Sequence, residues 1–288
     1  MAVQVVTDTT SYLPRELTEA NQIRVVSLYV VFGGERTVPE ADITDYDAFF
    51  EELRAAEQLP TTSQPSVGDF IAAYEPALER GDDVVSIHIS GGISGTVEAA
   101  RQATEQLERD GRGGERVRVI DSETSAGGLG LVALAAAAAA RRGGSIDDVA
   151  TAAAESRENL KMWFAIDTLE FLKRSGRIGA ASAWLGSTLR IKPILTLERE
   201  MTPVERVRTS KRMFERMVDY ARQREASGMH AWVVQHIQAE GQAEALADRC
   251  RELFGREPVF TSEIGAVLGA HTGPGLLGVG SIHERFLT

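Results

Sequence analysis

Three times in its first 125 residues the sequence runs a short β-branched stretch into a polar cluster and then into a helical pattern. Residues 3–6 precede Asp8-Thr9-Thr10-Ser11, residues 84–89 precede the loop 90–96 (SGGISGT), and residues 117–120 precede Asp121-Ser122-Glu123-Thr124-Ser125. Strands alternating with helices in this way predict a parallel sheet covered on both faces. Ligands of such sheets bind at the carboxyl ends of the strands, so the three polar clusters are expected to share one edge. The 90–96 loop is the richest of them. Its three glycines and three hydroxyl side chains can bring N–H and O–H donors together at a helix N-terminus, which makes it a candidate anion-binding loop.

The rest of the chain continues the alternation. Helical spacing marks residues 14–22, 45–57, 67–79, 94–109, 126–140 and 145–159, and a strand is expected over 25–32, closed by Gly33-Gly34. Residues 61–66 read as a hydroxyl-rich loop whose Ser66 pairs with Asp69 to cap the helix that follows. Beyond residue 160, strands at 162–166, 193–197, 232–237 and 259–261 interleave with helices at 169–177, 210–224 and 243–254. A Gly-rich tail, 269–275, precedes the apolar stretch 276–282. At 288 residues the chain has room for two domains, and the boundary is placed near residue 160, giving units 1–160 and 161–288.

Composition narrows the function. With 31 basic and 42 acidic residues the net charge is −11, which opposes non-specific binding to nucleic acid or an anionic membrane surface. Cys250 is the only cysteine, so neither an intrachain disulfide nor a cysteine metal cluster can form; its helical setting suits a buried thiol. The first residues lack the basic start and apolar core of a secretory signal, and a cytoplasmic location is expected. The apolar stretch 126–140 falls short of the ~20 residues a membrane span needs, so it reads as an Ala-rich helix packed inside the protein.

No Gly-x-x-x-x-Gly-Lys-Ser/Thr run exists, which excludes a P-loop. Residues 128–133 match GxGxxA, but a polar run separates them from their strand, and close helix packing explains the glycines better than a dinucleotide does. A Ser-His-Asp hydrolase is the enzymatic alternative, with Ser94 opening a helix, His271 downstream and Asp167 at a strand end. The sequence around Ser94, GISGT, lacks the second glycine of the GxSxG elbow. His271, enclosed by Gly269, Gly273, Pro274 and Gly275, reads as a ligand-binding residue in a loop, whereas His88 reads as a packed core residue. His230, His236 and His283 have no metal-ligand spacing, so no metal site is expected. Lys173, Arg174, Arg177, Arg190, Lys192, Arg206, Arg208, Lys211 and Arg212 stand out in an acidic chain. Solvated helix faces account for part of them, and the rest suit a positive rim for an acidic ligand or partner.

Five of these segments, in order, resemble the motifs of the DegV family: residues 62–66 (TSQPS), 90–96, 171–179 (FLKRSGRIG), 191–195 (IKPIL) and 271–275 (HTGPG). The resemblance implies an α/β fold of two domains, a parallel-sheet α/β/α domain followed by an α/β domain with a mixed sheet, with a long-chain fatty acid buried in the cleft between them. It implies that Thr62, Ser94 and His271 hold the carboxylate, with Gly95 as a backbone donor and Thr61 as an adjacent candidate. It further implies a binding subunit without its own catalysis or cofactor. A separate fatty acid kinase would phosphorylate the bound carboxylate for phospholipid synthesis, docking beside Arg174, Arg177, Arg206 and Arg208, and lipid exchange would bring transient membrane contact. One departure stands out. The family's first motif usually reads Asp-Ser-x-x-Asp, and here Tyr12 takes the place of the last acid.

Overall fold

The computed structural model describes residues 2–34, 36–185 and 191–288; Arg190, named above among the basic residues, lies outside them. From the N-terminus run β1 (Val3–Asp8), α1 (Arg15–Ala20), β2 (Arg24–Val26), β3 (Tyr29–Phe32), β4 (Arg36–Pro39), α2 (Tyr46–Ala55), β5 (Thr61–Ser63) and α3 (Val67–Glu79). β6 (Asp83–His88), α4 (Thr96–Arg109), β7 (Val117–Asp121), α5 (Ala126–Arg141) and α6 (Ile146–Asn159) follow. The remainder is β8 (Lys161–Ala165), α7 (Glu170–Arg174), β9 (Lys192–Glu198), β10 (Glu200–Val207), α8 (Ser210–Ala226), β11 (Ala231–Ile237), α9 (Glu240–Phe254), β12 (Phe260–Glu263), α10 (Ala266–Thr272) and β13 (Leu276–Ile282).

The first sheet is parallel throughout, in the order β2-β1-β6-β7. Side chains alternate across it with the period of two that a strand imposes. Val5, Val85 and Ile87 pack with Leu129 and Val132 of α5, while Val6 and Val84 pack with Phe70 and Tyr74 of α3 and Leu107 of α4. Both faces are therefore covered, and the polar clusters after β1, β6 and β7 lie at one edge, as the sequence predicts.

The second sheet has six strands in the order β10-β9-β8-β13-β11-β12 and is mixed: only β11 and β12 pair in parallel. One face packs on α8 and α9 through Trp232, Val234, Met217, Leu246 and Cys250, and burial pushes the Cys250 thiol up to about 12. The other face turns toward α5, which packs against both sheets. Its run of alanines and glycines keeps the helix slim enough for that position, and no helix among the described residues is long and apolar enough to cross a membrane.

Two sequence expectations are corrected here, and one strand is added to them. The run 25–32 is two strands in different sheets, β2 beside β1 and β3 in a third sheet of order β4-β3-β5; between them Leu28 is held by its N–H donating to Thr9 Oγ1 (3.2 Å) and its carbonyl accepting from Glu40 N (2.8 Å). The hydroxyl-rich loop contains a strand, β5, which pairs with β3 and sets Thr62 opposite Val30. Residues 200–207, left without an element by the sequence reading, form the edge strand β10. Their polar composition hides it, and Pro203 is tolerated because it lies on an edge beside a register shift.

Candidate functional site

Thr62, Ser94, Gly95 and His271, far apart in sequence, line one cavity of about 50 Å3 whose polar side they form with Gln64, Arg177 and Thr272 and whose apolar side includes Leu28, Ile93, Met201 and Leu268; its hydrogen-bonding groups make it the polar cavity of a pair. β5 delivers Thr62, the turn between β6 and α4 delivers Ser94 and Gly95, and α10 delivers His271. Thr62 Oγ1 lies 2.7 Å from His271 Nε2. Ser94 Oγ is 2.8 Å from Thr96 Oγ1 and accepts from Thr96 N at 3.3 Å, which helps start α4 immediately after its N-cap, Gly95. Thr61 is the exception. It is exposed, does not line the cavity, and alternates to the opposite face of β5 from Thr62.

His271 sits in a helix rather than in the loop its glycine neighbours suggested. α10 is held at its N-terminus by a buried pair: Glu40 Oε1 accepts from Val267 N and from the Tyr12 hydroxyl, both at 2.7 Å, and Leu268 N donates to the Tyr12 oxygen at 3.2 Å. Burial raises the Glu40 carboxyl, and burial followed by the Glu40 charge raises Tyr12. Tyr12 thus gives the first loop a structural role in seating the helix that carries His271. Asp8 of the same loop also points inward, accepting from Thr10 N and Ile89 N and bonding His88 Nδ1, each at 3.0 Å.

Burial, aided by the nearby positive charge of Arg177, lowers the His271 pKa to about 4, so the imidazole is neutral near pH 7. Its Nδ1 is buried without a hydrogen-bond partner. A neutral imidazole, two hydroxyls and one guanidinium around a small cavity can orient an anionic oxygen group by hydrogen bonds and field. They do not form a hydrolase relay. Ser94 bonds Thr96 and not His271, His271 Nε2 is engaged by Thr62, and Asp167 pairs with Lys192.

Arg177, assigned from the resemblance to partner docking, is half-buried and lines the cavity. Arg174, Arg206 and Arg208 are exposed; Arg174 donates to the Glu57 carbonyl (3.1 Å), and the Arg206 guanidinium lies 5.3 Å from the ring centre of Trp184. Gln64, Met201 and Thr272 are lining residues that the sequence reading did not select. Gln64 and Thr272 fall inside segments it quoted, but nothing marked Met201, which lies on the unexpected strand.

Behind the polar cavity is a second one of about 40 Å3, bounded by Met162, Phe164, Leu197, Ile264 and Leu276. Met201, Leu268 and Thr272 line both cavities.

A family model described as "Uncharacterised protein, DegV family" matches residues 2–284. The chain is 40% identical over 280 residues to a DegV domain-containing protein of Streptomyces coelicolor, covering 96% of this chain and 97% of that one. It is 35% identical over 283 residues to protein DegV of Bacillus subtilis, covering 97% and 98%. A structure concerned with fatty acid binding of a DegV family protein from Thermus thermophilus aligns with TM-score 0.87 at 35% identity, covering 98% of this chain and all of that one. The crystal structure of DegV from Bacillus subtilis, described as a fatty acid binding protein, aligns with TM-score 0.87 at 34% identity, covering 98% and 99%.

Proposed function

This chain belongs to the DegV family, and we propose that it binds a long-chain fatty acid, holding the carboxylate in the polar cavity and the acyl tail in the apolar one. The observation that carries this reading is the adjacency of the two cavities: hydrogen-bonding groups at one end, hydrocarbon walls at the other, and three residues common to both. The Thermus thermophilus and Bacillus subtilis proteins described as binding fatty acid support it. Thr62, Ser94 and His271 are the proposed carboxylate ligands, with the Gly95 N–H as a further donor and Arg177 supplying positive field. The tail supplies affinity, since each buried methylene contributes ~0.8 kcal/mol, and a 16-carbon chain gives on the order of 10 kcal/mol before ordering costs.

In this reading the lipid occupies a cleft between units 1–160 and 161–288, and the protein acts as a carrier. Fixing the carboxylate by neutral donors leaves it a nucleophile for a phosphoryl group supplied by a partner kinase, so this chain's contribution is positioning. The exposed Arg174, Arg206 and Arg208 are the proposed docking cations. Purified protein, extracted under denaturing conditions, should yield a fatty acid by mass spectrometry. No lipid in the extract, and none taken up after incubation with palmitate, would sink the proposal.

A further inference from the structure

Three residues are common to the two cavities, and one of them, Met201, carries an unbranched and flexible side chain. Each cavity is well below the ~300 Å3 at which small-molecule pockets begin, so an acyl chain anchored in the polar one must pass these residues. Leu268 and Thr272 lie one turn apart on α10; Thr272 Oγ1 donates to the Leu268 carbonyl (2.9 Å), which ties that hydroxyl to the helix, and Leu268 carries a branched side chain with only two rotatable bonds. Met201 lies on β10 with its side chain buried, 4% exposed.

The backbone of Met201 is pinned from two directions. Two residues before it, the Arg199 carbonyl accepts from Ser90 Oγ (2.7 Å) and the Arg199 N–H donates to the Glu123 carbonyl (3.1 Å). Gly92 permits this approach, since a Cβ there would stand 2.1 Å from the Arg199 oxygen. On the other flank Gly179, with φ +51°, packs so closely that a Cβ would lie 2.9 Å from the Met201 carbonyl oxygen and 3.0 Å from its nitrogen. The hairpin therefore cannot swing as a lid without breaking these contacts. What remains mobile is an unbranched thioether side chain with three rotatable bonds.

We propose that the Met201 side chain is the gate between the head and tail cavities, and that it selects acyl chains by their bulk near the carboxylate. The inference rests on the fatty acid reading above. Met201→Phe should fill the neck and weaken palmitate binding at least tenfold, about the cost of overpacking a core by one to two kcal/mol converted to affinity. Propionate, whose short chain does not span the neck, should lose at least about threefold less affinity than palmitate does in the same variant, followed by the NMR shifts of the His271 ring. Met201→Ala should do the reverse, admitting 3-methylhexadecanoate about tenfold better than wild type does. Unchanged palmitate affinity in Met201→Phe, or equal losses for palmitate and propionate, would overturn the gate. Should Met201→Phe fail to fold, as judged by circular dichroism, the alanine variant decides: no gain for the branched acid rejects the proposal. If wild type binds none of these acids, it is the fatty acid reading that falls, and the gate with it.

Discussion

Two histidines, the sealed His88 and the half-buried His271, use their hydrogen-bonding capacity in opposite ways. His88, on β6, has both ring nitrogens engaged: Nδ1 is 3.0 Å from Asp8 Oδ2 and Nε2 is 2.6 Å from Ser86 Oγ, which in turn accepts from the Tyr74 hydroxyl at 2.8 Å. Ser86, His88 and Asp8 have the composition of a hydrolase triad, yet all three are fully buried and none of them lines either the polar or the apolar cavity. His271 has one nitrogen bonded to Thr62, the other without a partner, and a cavity beside it. Residue type does not separate a structural histidine from a site histidine; unspent hydrogen-bonding capacity with access does.

The comparison breaks first at His88. Its replacement by alanine takes a partner from the Asp8 carboxylate and from Ser86 in a sealed interior, and should cost about 3–5 kcal/mol in denaturant unfolding. A loss under about 1 kcal/mol would mean that the network does not hold the parallel sheet together.

Next in size is a pH effect confined to His271. In the unfolded chain this histidine titrates near 6.5, and in the folded protein at about 4. Between those values the unfolded state binds the proton and the folded state does not, so this contribution leaves stability intact above pH 6.5 and erodes it as the pH falls toward 4. The erosion should reach roughly 2–3 kcal/mol. His236 is also lowered by burial, so the measurement is the difference between wild type and His271→Gln across that range. Parallel curves for the two proteins would show that His271 is not held neutral.

A third effect separates the histidines by function. His271→Ala should change stability by about 1 kcal/mol or less while lowering fatty acid affinity about tenfold, the worth of one hydrogen bond to a carboxylate. If it destabilises as much as His88→Ala and leaves affinity alone, the two residues belong to one class.

How much of this was readable beforehand follows from which interactions are local. The 67–79 helix was legible to the residue because Ser66 and Asp69 form a capping box within four positions. The shared edge of the polar clusters was legible because each follows its own strand. The setting of His271 was not, because glycines beside it read as loop, while Gly269 is in fact small so that α10 can pack on Phe50, a residue too distant in sequence to enter any local pattern: a Cβ there would lie 2.6 Å from that ring. Met201 and Arg177 joined the site only through tertiary packing, and the break at Leu28 depends on Thr9 and Glu40, neither of them a local turn signal.

Ser94 tests the rule at its midpoint, and with the smallest effect. Its hydroxyl is partly spent, on Thr96 Oγ1 and Thr96 N at the start of α4, and partly available, since Ser94 lines the polar cavity and is half-buried rather than sealed. Removing it should therefore divide its cost. Ser94→Ala is expected to lose about 0.5–1 kcal/mol of stability, the usual worth of a side-chain bond at a helix start, and about threefold in fatty acid affinity. Ser94→Thr, which keeps the hydroxyl, should recover most of the affinity if its methyl fits. A loss confined to stability would place Ser94 with His88, and a loss confined to affinity would place it with His271. A divided loss is the outcome that unspent capacity, counted atom by atom, requires.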